Sequence, residues 1–208
     1  MGFQFRRKTA QCRFPLCYIK NFHVHKMIST TNLSTILSAF KDRGHEEYHG
    51  EPVSQLEHAV QAATLAKFQY PDDPEFIIAA FLHDFGHLCE SPNGEMDGFG
   101  KWDHESIGAQ KLQSLGLSSK IIRLVANHVT AKRYLVSTDP LYFTHLSEAS
   151  KITLEKQGGL LSVAEQKEFE DDPLFHLHIA LRRIDEKAKE TGKPTDFGWL
   201  ETLIQDNC

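Results

Sequence analysis

The sequence predicts an all-α fold, with helices packed as a single bundle around one core. Three observations lead there. No stretch alternates apolar and polar residues over a useful strand length, whereas apolar residues recur three and four apart through most of the chain. Many of those periodic runs carry their own punctuation, with Ser, Thr or Asp in front and Gly or Pro behind. The length of 208 residues, 40% of them hydrophobic, suits one domain with a sizeable core.

Composition also narrows the function classes. A net charge of −5 gives no broad electrostatic footprint for nucleic acid. No apolar run approaches the roughly 20 residues that span a bilayer. Cys12, Cys17, Cys89 and Cys208 form no CxxC pair and no regular spacing. They read as free thiols of a reducing, cytoplasmic compartment rather than a disulfide frame or zinc knuckle.

Residues 1–28 are set apart as an extension ahead of the body, 29–208. The first 41 residues hold no Asp or Glu yet carry Arg6, Arg7, Lys8, Arg13, Lys20, Lys26 and Lys41. Such a start reads as a mitochondrial-type transit peptide, as a disordered basic arm, or as sequence ahead of a working start at Met27.

Thr31-Asn32 then caps a short helix with Leu33, Ile36, Leu37 and Phe40 on one face and Gly44 beyond its end. A polar loop, His45 to Val53, separates it from a helix over Ser54 to Tyr70, stopped by Pro71. Leu56, Ala59, Val60 and Ala63 form that helix's main stripe. Ala62 and Leu65 make a second line beside His58, which turns His58 inward. Asp73, with Pro74 at the first helical position, starts a run through Phe76-Ile77-Ile78-Ala79-Ala80-Phe81-Leu82 into His83-Asp84. Gly86 lets the chain turn, and residues 90–102 form a loop or lid. Asp103-His104 opens a helix over Glu105 to Leu115, closed by Gly116. Ser118 caps the next, where His128 follows Leu124 by one turn on the apolar side. A loop through Pro140 leads to a helix over Ser147 to Gln157, ended by Gly158-Gly159. Ser162 and Glu165 fit a capping box. Asp172-Pro173 begins the last long helix, with Leu174, Leu177, Ala180, Leu181 and Ile184 inward and Asp185 beside them.

His58, His83, Asp84, His104, His128 and Asp185 therefore fall on inward faces of separate helical segments. Burying a neutral polar group without a partner costs on the order of 2–7 kcal/mol, and a charge costs more. Taken alone, His83-Asp84 would pass for a core histidine beside a capping aspartate. Six such residues in one bundle point instead to metal. Six protein ligands would nearly fill one octahedral ion, whereas two ions bridged by Asp84 would keep open positions for chemistry. Imidazole and carboxylate without thiolate suit iron, manganese or zinc alike.

The order His58, His83-Asp84, Asp185 resembles the HD-domain signature of metal-dependent phosphohydrolases, and His104 and His128 resemble the additions of its dinuclear members. The likeness extends to the HD-domain mixed-valent di-iron oxygenases that cleave organophosphonates, relatives of myo-inositol oxygenase. It is carried by Tyr48-His49-Gly50-Glu51, by His83-Asp84-Phe85-Gly86-His87, and by His128-Val129-Thr130-Ala131-Lys132. Leu146 to Ser150, Gln157-Gly158-Gly159 and Leu181 to Asp185 complete it, so that it runs from about Ile36 to about Trp199.

This resemblance implies a helical bundle around a dinuclear site holding two iron ions, Fe(II)/Fe(III). His58, His83, Asp84 and Asp185 would hold one iron. Asp84 would bridge to the second, completed by His104 and His128. Tyr48 resembles the tyrosine that substrate displaces from the second iron, and Glu51 the acid that meets a substrate ammonium. His87 and Lys132 resemble the phosphonate-binding pair, and Ser150 a further substrate contact. The implied reaction uses O2 to cleave the C–P bond of a 1-hydroxy-2-aminoethylphosphonate or its trimethylammonium form, giving phosphate and glycine or glycine betaine. Phe85, Phe99, Trp102, Tyr142 and Phe143 are aromatic residues that could cage a trimethylammonium group. The competing reading is a metal-dependent phosphohydrolase acting on a phosphate ester or nucleotide, which needs the ligands but has no use for a displaceable Tyr48.

Overall fold

The computed structural model describes residues 28–48, 50–90 and 100–208. The expectations for the basic N-terminal extension, including its transit-peptide reading, lie outside the described residues. So do those for His49 and for a lid over most of the 90–102 loop. Among the described residues there is no strand, only one isolated bridge between Glu47 and Ser54. No described helix is long and apolar enough to cross a membrane.

The helix at the centre is α3, Pro74–Leu82, in which every residue from Phe76 to Leu82 is buried. A helix apolar on all sides must be surrounded, and α3 packs against α2 (Gln55–Gln69), α5 (Ser119–Thr138), α9 (Phe175–Lys187) and α10 (Gly198–Asn207). Ala59, Ala62, Ala63 and Ala66 keep the buried side of α2 thin. Phe81 stacks on Phe40 of α1 (Thr30–Arg43) at 4.3 Å between ring centroids. The side-chain oxygen of Asp73 accepts from Phe76 N–H at 3.1 Å, and Pro74 at the first position donates nothing that would be left unpaired. Ser54 and Glu57 form a full capping box on α2. These caps fix where α2 and α3 begin, and thereby which turn His58 and His83 occupy.

After Leu82 the chain leaves α-helical geometry at Asp84 and passes through a 3-10 helix, Phe85–Leu88. The chain turns here without a positive φ at Gly86, so the turn itself does not demand a glycine. Gly86 makes room: a Cβ there would overlap the His104 carbonyl oxygen and lie 2.9 Å from Gly108 N. The start of α4, His104–Ser114, is thus pressed against the 3-10 helix through two glycines. Asp103, just before it, is the one described non-glycine residue with positive φ, at 55°. Aspartate tolerates this region better than most residues, and such strain gathers at functional sites.

Several expectations are corrected. The cap of α1 is Ser29, whose hydroxyl accepts from Asn32 N–H, rather than Thr31-Asn32. The segment through Pro140 is a short helix, α6 (Pro140–His145), because Asp139 and Pro140 repeat the starting device of α3. The helices α7 (Glu148–Lys156) and α8 (Val163–Glu170) follow. α9 begins at Phe175, and it is not the last helix: α10 follows and buries Leu200 and Ile204 against α3 and α1. Ile28 is already in this core, its N–H bonded to the Cys208 carbonyl.

Candidate metal centre

The two oxygens of Asp84 face in different directions. Oδ2 lies 3.5 Å from His58 Nε2 and 3.3 Å from His83 Nε2. Oδ1 lies 3.4 Å from His104 Nε2 and 3.2 Å from His128 Nε2. Asp185 joins the first group, with Oδ1 3.4 Å from His58 Nε2 and 3.8 Å from His83 Nε2. All six side chains are buried. Helices α2, α4, α5 and α9 supply one each, and the end of α3 supplies two.

Three of the four histidines are already set in one tautomer. His58, His83 and His128 each give Nδ1–H to a backbone carbonyl, of Ala188, Ala80 and Val125, at 2.7–2.8 Å. In the neutral rings this leaves the Nε2 lone pairs pointing inward. His58 Nε2 and His83 Nε2 are 3.0 Å apart, as are those of His104 and His128. The facing lone pairs of His58 and His83 repel unless a cation sits between them. Asp84 Oδ2 and Asp185 Oδ1 are buried without a hydrogen-bond partner. Both observations fit metal ions, as do the donor types and the carbonyls that orient the rings. Burial by itself would lower the pKa of His83, but Asp84 and Asp185 outweigh it and raise it to about 10. A proton on His83 is thus the competitor that a metal must displace.

The open side of the centre is a pocket with about 50 Å³ of free space. Tyr48 lines it, its ring stacked on that of His58 at 4.0 Å and 16°. Burial, then the charges of Asp84 and Asp185, raise the Tyr48 hydroxyl well above its ordinary pKa. His87 stacks on His104 at 4.1 Å. Its Nδ1 accepts the backbone N–H of Lys101 at 3.3 Å, which leaves Nε2–H as the donor of the neutral ring. Lys132 is buried on α5, one turn past His128, and gives a hydrogen bond to Thr153 Oγ1 at 3.0 Å. Burial, reinforced by the Arg182 charge, lowers its pKa to about 7. Glu51 and Ser150 are at the same wall.

Two residues of this wall escaped the sequence reading. Arg182 bonds the second oxygen of Asp185, gives Nε–H to Tyr142 Oη at 2.9 Å, and pairs with Glu186. It stands one turn before Asp185 on α9, a signal that was available. Lys189 lies beyond the end of α9, where no periodicity points to it. Its Nζ is 2.7 Å from Glu51 Oε1.

A family model described as "HD domain" matches residues 43–158 of the chain. That span includes His58, His83, Asp84, His104 and His128 and ends before Asp185. The chain is 41% identical over 171 residues to an uncharacterized protein of Acanthamoeba polyphaga mimivirus, covering 80% of this chain and 78% of that one. It is 41% identical over 176 residues to the hydroxymethylphosphonate dioxygenase of Gimesia maris, covering 83% and 86%. It is 43% identical over 161 residues to the [1-hydroxy-2-(trimethylamino)ethyl]phosphonate dioxygenase (glycine-betaine-forming) of Leisingera caerulea, covering 77% and 81%.

Proposed function

The chain belongs to the HD-domain phosphonate oxygenases, and from that premise we propose that it cleaves the C–P bond of a 1-hydroxyalkylphosphonate with O2, giving phosphate and a carboxylate, at an Fe(II)/Fe(III) pair. The observation that carries this reading is Asp84, whose two oxygens address separate histidine pairs at the floor of a pocket walled by His87 and Lys132. His58, His83, Asp84 and Asp185 would hold one iron, and Asp84, His104 and His128 the other. Iron bound there would supply Lewis acidity toward substrate oxygens and one-electron chemistry toward O2.

The chain's own groups bind and orient. Lys132 carries a charge that burial makes costly, so a phosphonate dianion beside it holds the proton on Nζ. His87 presents a second, neutral donor, fixed by the Lys101 N–H. Ser150 offers a hydroxyl at the same wall. Arg182 keeps one oxygen of Asp185 occupied so that the other faces the histidines. Tyr48 would give way to an incoming substrate, and its phenol, buried beside the charges of Asp84 and Asp185, keeps its proton. Glu51 would face the end of the substrate away from phosphorus, where an aminoethyl skeleton would leave glycine or glycine betaine. A reducing, cytoplasmic setting accords with the free thiols of Cys89 and Cys208.

Iron-loaded protein is expected to release phosphate from 1-hydroxyphosphonates under air and none under nitrogen. Hydrolysis of phosphate esters under nitrogen, with no release from any phosphonate, would replace this reading with a metal-dependent phosphohydrolase.

A further inference from the structure

We propose that Lys189 closes the ammonium corner of the pocket, so that the substrate is a hydroxyalkylphosphonate with no cationic group, of which hydroxymethylphosphonate is the smallest. The inference rests on the phosphonate-oxygenase reading and adds the identity of the end group.

Glu51 already has a cation. Lys189 Nζ lies 2.7 Å from Glu51 Oε1, 3.2 Å from Ser147 Oγ and 3.4 Å from Ser150 Oγ. The two charged side chains are nearly enclosed, 13% and 9% exposed, which removes this pair from the weak surface class. Among the described residues that line the pocket, Glu51 is the one acid apart from Asp84 and Asp185, while Lys132, Arg182 and Lys189 are cations there. A substrate ammonium would have to evict Lys189 from Glu51 or sit beside it. Either arrangement leaves one buried ammonium without a counter-charge, which is discrimination by repulsion.

The walls add two further points against a large cation. Among the described residues, and apart from imidazoles, Tyr48 is the one aromatic lining the pocket, and its face is already stacked on His58; Phe99 lies outside the described residues. Phe85, Trp102, Tyr142 and Phe143 are not among the lining residues, so no aromatic cage for a trimethylammonium is built from them. One hydroxymethylphosphonate dianion and one O2 would give one formic acid and one hydrogenphosphate. The C–P bond and one C–H bond break, and their four electrons reduce O2.

The test compares hydroxymethylphosphonate, 1-hydroxy-2-aminoethylphosphonate and its N-trimethyl form on iron-loaded wild type and Lys189→Met. In wild type, kcat/KM for hydroxymethylphosphonate should exceed that for either cationic substrate by about tenfold or more. Lys189→Met frees Glu51 and should move the ratio toward the amine by about tenfold, whereas a merely structural lysine would lower all three together. Calorimetric binding of methylphosphonate and 2-aminoethylphosphonate, which lack the reacting hydroxyl, should rank the same way, and the gap should close by a similar factor in the variant. Oxygen-dependent phosphate release that favours a cationic substrate in wild type overturns the role of Lys189 and leaves the oxygenase standing. No release from any of the three under air overturns both.

Discussion

Asp84→Asn is expected to abolish metal binding at both halves of the proposed centre and to lower turnover by about two to four orders of magnitude. The amide keeps the shape of the carboxylate but removes the one anion shared by the two histidine groups. Its NH2 end would meet lone pairs on one side, and its oxygen would offer the other side a weaker ligand. Losing one charged partner from a buried cluster costs about 3–5 kcal/mol. With about 1.4 kcal/mol per decade, that is two to four decades in rate. The fold should survive, because α3 is anchored by its apolar surface, from Phe76 to Leu82, and not by the centre. His128→Ala is the companion experiment: His128 touches only the Oδ1 side of Asp84, so this variant should retain one metal per chain where Asp84→Asn retains none. Metal analysis of the purified variants, with circular dichroism as the fold control, reads both. Equal loss in the two variants would contradict the division of the centre into two halves.

Gly86→Ala is expected to be the most disruptive single-methyl change near the site. Its Cβ would overlap the His104 carbonyl oxygen and lie 2.7 Å from the His104 carbonyl carbon and 2.9 Å from Gly108 N. All three are backbone atoms, so no side chain can rotate away. The 3-10 helix and the start of α4 must separate instead, and α4 carries His104. Overpacking of this kind costs about 1–3 kcal/mol, and more where the backbone must move. We expect about 3 kcal/mol, a drop in Tm of about 6–12 °C for a chain of this size. Metal held by His104 and His128 would be lost before metal held by His58, His83 and Asp185. Gly108→Ala should be milder, since its Cβ would come no closer than 3.0 Å to Gly86 N. Thermal melts and metal content of the two variants test the ranking.

Much of this arrangement was legible because it depends on local devices. Asp73-Pro74, Ser54 with Glu57, and Ser118 announce helix starts, and the apolar periods that follow turn His58, His83 and His128 inward without knowledge of any neighbour. Other features are tertiary in origin. Gly86 reads as a turn residue, but its necessity comes from a helix 18 positions away in sequence, at His104. Lys189 meets Glu51 because the end of α9 passes the loop after Tyr48, a contact across 138 positions that no spacing encodes. Two omissions had signals. Asp139-Pro140 repeats Asp73-Pro74, and Leu200 with Ile204 has helical spacing beyond Pro194. The first run was too short, and the second followed a segment rich in Gly and Pro. Arg182, one turn ahead of Asp185, is the partner that the carboxylate oxygen turned away from the histidines requires.

The most direct measurement is the iron content of the reconstituted protein together with low-temperature EPR of its half-oxidised state. Two irons per chain and a single signal from a spin-coupled Fe(II)/Fe(III) pair are expected, since one carboxylate joins both positions. One iron per chain, or two whose signals show no coupling, would contradict a centre bridged by Asp84.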